Sequence, residues 1–326
     1  MTPLKQLSYV GNRGMGALEY YPATNAISME QMQLHSITGI LGAIMSGQNE
    51  RLRQGMEYED MLRVFRVGTS AGGARPKVLL ARGEDGKLYG GDSIPLGIYD
   101  YLLIKLDLDE SAYKPLRTEM AYHELALAAG IDMMPCEMID EKHFATHRFD
   151  RVKGCRVHCF TATGLSGWDF KGDPVHSSYE NLFELCVKLH VPLSDMSRLF
   201  RRMVFNVLMG NLDDHFKNHS FVFDKFRLTW GLSPAYDLTY AMNPRLAVSK
   251  VSRALSINGK RENITWKGML VLAKRYMVKR PTEHLDAVLQ ARDMLEEKCA
   301  EYKVEEKDVT AIRQDLNELH KALQLS

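Results

Sequence analysis

No stretch of this chain approaches the ~20 consecutive apolar residues that a membrane-crossing helix requires, and no charged-then-apolar leader opens it. These absences place the expected protein in the cytoplasm, with no membrane partner. Neither sign of charge is in excess. Lys and Arg number 42 against 41 Asp and Glu, for a formal net charge of +1. That balance argues against direct nucleic-acid binding through the chain's own electrostatic footprint, but leaves room for a local basic groove that takes phosphate. Cysteine is scarce: Cys136, Cys155, Cys159, Cys186 and Cys299 are odd in number, and none are spaced as in a zinc ribbon. Cys155, His158 and Cys159 lie close together but have no distant second pair, so buried free thiols in a reducing compartment are the simpler reading. Internal repeats and low-complexity tracts are absent. So are a Gly-Lys-Ser/Thr phosphate loop and a Gly-x-Gly-x-x-Gly run.

What is present suits an ordinary globular protein. A chain of 326 residues with 45% hydrophobic and 25% charged residues buries a substantial core and normally forms two domains or lobes. Residues 6–22 read as a turn and strand, and residues 27–66 as helical from the spacing of Met32, Leu34, Ile37, Ile40 and Leu41. Strands follow at 77–82, 101–106, 143–149 and 157–161. A helix is expected over 119–129, with Gly130 as its C-cap. From Tyr179 the period becomes helical up to about Leu208. A short strand-like run, 219–224, comes next, then an irregular stretch over 244–263. Helices are expected over 264–279 and 281–322, the latter with one break near 303. Strands first and helices afterwards predict an α+β fold of two lobes. The small mixed N-lobe would cover 1–158 and a larger, mostly helical C-lobe 159–326.

The most informative stretch is Asn211-Leu212-Asp213-Asp214-His215-Phe216-Lys217-Asn218, with Asp237 nineteen residues later in Ser233-Pro234-Ala235-Tyr236-Asp237. Phosphoryl transfer needs one carboxylate at the attacking hydroxyl, and a carboxamide and second carboxylate holding Mg²⁺ against the ATP phosphates. Asp213 and Asn218 have the five-residue spacing of a catalytic-loop base and metal ligand, and Asp237 stands where the second metal ligand follows. The plain alternative is a polar loop capped by aspartates. A second feature is the small-residue loop Gly68-Thr69-Ser70-Ala71-Gly72-Gly73. Its backbone N–H groups suit a phosphate cradle, and equally a turn before a strand. Lys105 closes the apolar run Leu102-Leu103-Ile104, as does the strand lysine that pairs ATP phosphates with a helix glutamate, here Glu119 or Glu124.

Taken in order, Ser70-Ala71-Gly72-Gly73-Ala74-Arg75-Pro76-Lys77, Arg148-Phe149-Asp150-Arg151, Asp213-Asp214-His215-Phe216-Lys217-Asn218 and Pro234-Ala235-Tyr236-Asp237 resemble the HipA-type serine/threonine kinases, the toxin kinases of bacterial toxin–antitoxin systems. Gly16-Ala17-Leu18-Glu19-Tyr20 and Leu255-Ser256-Ile257-Asn258-Gly259-Lys260 also look like family segments. Longer members carry additional residues before the Gly-Ala-Leu segment, so the likeness is to the short HipT-type kinases.

The resemblance implies an ATP- and Mg²⁺-dependent kinase in which Asp213 is catalytic and Asn218 and Asp237 bind Mg²⁺. Lys105 and the Ser70–Gly73 loop would contact ATP, with His215 and Lys217 shaping the loop or touching phosphate. Ser70, with Thr69 as second candidate, would be autophosphorylated. It further implies an aminoacyl-tRNA synthetase as substrate, a helix-turn-helix DNA-binding antitoxin, and a small separate protein resembling the missing N-terminal subdomain. A small-molecule kinase on a related fold, or a catalytically silent pseudokinase corepressor, is the alternative.

Overall fold

The computed structural model describes residues 2–23, 29–45, 76–90, 94–95, 97–108, 113–168, 176–241 and 252–323. They fall into two compact units, Met1–Ala112 with Pro135–His158, and Tyr113–Met134 with Cys159–Ser326. The segment Tyr113–Met134 thus packs with the second unit, although it precedes residue 158 in the chain.

In the first unit, Thr2 caps helix α1 (Pro3–Val10), its side chain accepting from the Lys5 N–H, with Pro3 in the first turn. Proline is favoured there because its missing N–H would have had no intrahelical partner. The strand expected within 6–22 does not form. Past Gly11 (φ +54°) the backbone is irregular, and the carbonyls of Asn12, Gly14 and Gly16 are taken by arginine side chains instead of a neighbouring strand. Strand β1 (Glu30–Met32) then precedes helix α2 (Leu34–Met45). The start of the helix expected over 27–66 is therefore strand, because Glu30–Met32 pairs antiparallel with Leu88–Gly90.

Strands β2 (Lys77–Arg82), β3 (Leu88–Gly90), β4 (Asp100–Lys105), β5 (Cys136–Ile139) and β6 (His143–His147) complete a six-stranded antiparallel sheet in the order β1-β3-β2-β4-β6-β5. Leu34, Ile37 and Leu41, spaced three and four apart on α2, cluster with Val78, Leu80, Leu102, Ile104, Leu106 and Ala145. This is one face of a helix on one face of a sheet. A two-stranded hairpin, β7 (Arg151–Val152) and β8 (Cys155–Arg156), follows.

The second unit is mostly helical. Helix α3 (Pro115–Ala128) ends where Gly130 adopts φ +71°. The Gly130 N–H reaches the Leu127 carbonyl and the Ile131 N–H reaches Ala126, both at 2.9 Å, the paired bonds by which a glycine terminates a helix. The chain passes between units within β9 (His158–Thr161), which joins β10 (Ser220–Asp224) and β11 (Thr229–Leu232) in a three-stranded sheet ordered β11-β10-β9. Helices α4 (Ala162–Ser166), α5 (Tyr179–Lys188) and α6 (Leu193–Leu208) precede the β10–β11 hairpin. Helices α7 (Trp266–Arg275), α8 (Pro281–Asp293), α9 (Leu295–Glu301) and α10 (Glu306–Ala322) follow it.

Helix α6 is the core element. Leu199, Phe200, Met203, Val204, Phe205 and Leu208 are wholly buried, and α5, α8 and α10 pack on it. The expected break near 303 is present, with Lys303 at φ +56°, and a second break falls at Met294.

Candidate active site

Helix α6 delivers the chain to the site. Beyond its end, Gly210 turns at φ +69°, and the Asn211 N–H returns to the Asn206 carbonyl at 3.0 Å. Asn211 is then fixed at several atoms. Its Nδ2 donates to Asn206 Oδ1 (3.0 Å) and to the Asp237 carbonyl (3.3 Å), while its own carbonyl accepts from Arg253 Nη2 (2.8 Å). One residue on, the Leu212 carbonyl accepts from the Ala254 N–H at 2.8 Å. The backbone entering the loop is therefore anchored on both sides.

Asp213 emerges from this anchor with its side chain exposed, between buried Leu212 and buried Asp214. A short 3-10 turn, Phe216–Asn218, follows and is pinned by Phe216, which is completely buried. The turn folds Asn218 back onto the start of the loop, where its Nδ2 donates to the Asp213 carbonyl at 3.1 Å. The five-residue spacing legible in the sequence is thus a direct contact. With Nδ2 so engaged, Oδ1 is the end of the carboxamide that remains to accept a cation.

Asp237 reaches the same loop through two ties. Asn211 holds its carbonyl, and the neighbouring Tyr236 hydroxyl donates to the Lys217 carbonyl (2.8 Å) and lies 2.5 Å from Ser220 Oγ. Asp237 itself sits at φ +58°, the left-handed region that few residues other than glycine, asparagine and aspartate tolerate. The segment before it is held by Arg202, which is fully buried on α6 and donates to the Ser233 carbonyl. Burial pushes the Arg202 guanidinium down to about 10, with Arg198 adding to the effect. Asn218 and Asp237 together offer hard oxygen donors, the chemistry that Mg²⁺ selects, so the residues present fit that ion. Among the described residues no group of three or more His, Cys, Asp or Glu is placed to hold a metal.

Beneath the loop lies a polar network. Burial opposes ionisation of Asp214, but the adjacent His219 and the hydrogen bonds from His219 and Tyr179 outweigh it and hold the carboxyl below its ordinary range. Burial, reinforced by the Asp214 charge, raises the Tyr179 phenol well above its usual value, so it stays a donor.

The remaining expected residues are distributed as follows. Lys105 ends β4 in the first unit, is 8% exposed, and has its Nζ 5.7 Å from the Phe144 ring centroid, a cation–π distance. Glu119 and Glu124 lie on α3 in the second unit, where Glu124 approaches His123 Nδ1 at 3.3 Å. His215 and Lys217 are half-buried within the loop. Thr69, Ser70, Ala71, Gly72 and Gly73 lie outside the described residues. Asn211, Tyr236, Asp214, His219 and Tyr179 also shape the site. Asp214 and His219 repeat the five-residue step one position on, whereas Tyr179 and Tyr236 meet partners 35 and 19 residues away that the tertiary fold supplies.

The HipA-like C-terminal domain family matches residues 69–315. A Sinorhizobium fredii protein bearing the name "Putative kinase Y4dM" is 28% identical over 171 residues, which are 48% of this chain and 41% of that protein. The match thus spans about two fifths of the relative's length. Among solved structures, HipA from the Shewanella oneidensis MR-1 toxin–antitoxin complex of HipA, HipB and operator DNA superposes with a TM-score of 0.66 at 15% identity, covering 97% of this chain and 76% of that one. It shares the fold.

Proposed function

Since the chain belongs to the HipA-like C-terminal domain family, we propose that it is an ATP- and Mg²⁺-dependent serine/threonine protein kinase acting as the toxin of a toxin–antitoxin system. The observation that carries this reading is the loop itself. Asp213 is exposed, Asn218 is folded onto it at 3.1 Å, and Asp237 is tied to the same loop through Asn211. Three oxygen-bearing residues whose backbones are tied to one loop suit phosphoryl transfer, since its catalysis is largely positioning and charge stabilisation.

In this reading Asp213 orients the substrate hydroxyl and takes up its proton at the carboxylate. Asn218 Oδ1 and the Asp237 carboxylate would hold Mg²⁺, which when bound neutralises phosphate charge. Lys105 contributes a cation toward ATP from the 1–158 portion, with Ser70, Ala71, Gly72 and Gly73 contributing backbone N–H groups. The catalytic and metal-binding loops belong to the 159–326 portion. Ser70, or Thr69, is the autophosphorylation site.

The proposed partners are a helix-turn-helix, HipB-like DNA-binding protein and a small protein on the first unit. The first is suggested by the complex in which the Shewanella HipA was solved. The second is supported by Leu4, Leu7, Leu18 and Tyr21, which are all exposed. The proposed substrate is an aminoacyl-tRNA synthetase. Quantitative phosphoproteomics of cells expressing this chain, against cells expressing Asp213→Asn, tests the reading. A new phosphosite on a synthetase that depends on Asp213 is the expected result, and identical phosphoproteomes would refute it.

A further inference from the structure

Two rungs cross the loop at the same five-residue step. The outer one joins Asn218 Nδ2 to the Asp213 carbonyl at 3.1 Å. The inner one lies a single residue further along the chain and joins His219 Nε2 to Asp214 Oδ1 at 2.7 Å. The outer rung includes exposed Asp213, whereas Asp214 and His219 are 2% and 1% exposed. Each residue of the inner rung is the chain neighbour of a residue assigned to the reaction.

The inner rung does not stand alone. Tyr179, fully buried on α5, donates its hydroxyl to the second Asp214 oxygen. Asn206 Nδ2 on α6 donates to the Tyr179 oxygen at 3.1 Å, and Asn206 Oδ1 accepts from Asn211 Nδ2, which also reaches the Asp237 carbonyl. An unbroken series therefore runs His219–Asp214–Tyr179–Asn206–Asn211–Asp237. It touches all three reactive positions from behind, through backbone or chain neighbours. The His219 carbonyl accepts from the Ala162 N–H at 2.7 Å, so its backbone is fixed as well. On the ring, Nδ1 is buried and has no hydrogen-bond partner among the described residues, so the Asp214 bond at Nε2 orients the imidazole.

We propose that Tyr179, Asp214 and His219 form the positioning device of the phosphotransfer site. The inner rung sets the spacing of the outer one and, through Asn206 and Asn211, the placement of Asp237. This inference rests on the kinase reading above. None of the three residues is assigned contact with substrate, and no proton transfer is assigned to them. A displacement of about 1 Å at a reacting group lowers a rate by about 10²-fold, which is the scale on which the device acts.

The test uses the full chain with Mg²⁺ and ATP, comparing His219→Leu, His219→Gln and Tyr179→Phe. In His219→Gln the new side-chain amide offers a donor in place of Nε2, the leucine offers none, and Tyr179→Phe removes one oxygen. The first readout is the single-turnover autophosphorylation rate beside the ATP dissociation constant. His219→Leu is expected to lose about 10²-fold in rate with ATP affinity nearly unchanged. His219→Gln should recover most of that loss, and Tyr179→Phe should fall between. Should His219→Leu fail to fold, the Gln and Phe variants still order the result.

The second readout needs no ligand: amide hydrogen exchange over 213–219 in the unliganded protein. Exchange there should quicken in His219→Leu and be restored in His219→Gln, while the α6 core stays protected. Rates that follow ATP affinity or global stability instead, or loop protection equal in Gln and Leu variants, would overturn the positioning role. An unaltered chain that transfers no phosphate would overturn the kinase reading, leaving the exchange comparison to judge the device.

Discussion

Asp237 holds its carboxylate on a left-handed backbone, and its carbonyl is gripped by Asn211. A strained conformation persists only where neighbours over-determine it, and here the ties from Asn211 and Tyr236 do so. Asp237→Asn keeps the shape and removes one negative charge from the proposed metal donors. Phosphate transfer should fall by about 10²-fold or more, and the Mg²⁺ concentration for half-maximal rate should rise, with the melting temperature little changed. A titration of rate against Mg²⁺ checks this, and an unchanged half-point would remove Asp237 from the donor set. Lys105 calls for a different measurement because it is nearly buried against Phe144. Lys105→Met retains most of the packing and loses the charge, so ATP affinity measured by calorimetry should weaken without loss of fold.

The network around residues 148–156 ties distant elements of the first unit together. Asp150, wholly buried, accepts from Arg148 (2.9 and 2.8 Å), Arg151 Nη1 (2.7 Å) and the Gly16 N–H (2.7 Å). Burial opposes its ionisation, yet the Arg148 hydrogen bond and the charges of Arg148 and Arg151 hold the carboxyl below its ordinary range. Burial pushes Arg151 down to about 10, with Arg148 adding to the effect. Asp150→Asn leaves two arginines poorly compensated and should cost about 3–5 kcal/mol in urea unfolding, the range for breaking a buried ion pair. A loss below about 1 kcal/mol, the scale of exposed pairs, would mean the arginines find other partners.

At the opposite end of the chain, two histidines hold α8 by accepting hydrogen bonds. Arg201 Nε donates to His284 Nδ1 and Arg292 Nη1 to His320 Nδ1, each at 3.0 Å. A protonated imidazole cannot accept there. Burial first, then the neighbouring arginine, lowers both pKa values. Because the folded values lie below the unfolded value of about 6.5, the stabilisation is complete above that pH and declines as pH falls through the folded values. The urea midpoint should drop on acidification below about pH 6.5. The slope should flatten in a His284→Gln, His320→Gln double variant, and an equal slope in both proteins would contradict the assignment.

Elements were legible in the sequence where the pattern was long or chemically marked. The apolar run of β2, the helical periods of α5 and α6, and the glycine end of α3 all read directly. Short elements defined by partners did not. Strands β1, β3 and β5 have three or four residues and exist because the sheet supplies their hydrogen bonds. The Gly11–Tyr21 region alternates like a strand, but meets arginine side chains instead of a neighbouring backbone. In the loop, the Asp213–Asn218 step was visible as spacing, whereas the Tyr179 bond to Asp214, which comes from 35 residues away, was not.

For the whole molecule, a net charge of +1 supplies no broad electrostatic attraction for DNA. If the proposed antitoxin provides those contacts, this chain alone should leave operator DNA unshifted at about 150 mM salt, and the co-expressed complex should shift it. Electrophoretic mobility with each component alone and together checks this, and a specific shift by the chain alone would contradict it.

A kinase of this family must transfer phosphate at the loop built by Asn211, Asp213, Asn218 and Asp237. The direct measurement is incorporation of labelled γ-phosphate from ATP with Mg²⁺ into the purified chain, followed over time and located by peptide mass spectrometry, beside Asp213→Asn. The unaltered chain should become labelled, with the phosphate on Ser70 or Thr69, and Asp213→Asn should label at least about 10²-fold more slowly. Equal labelling of both proteins, or none in either, would contradict the account.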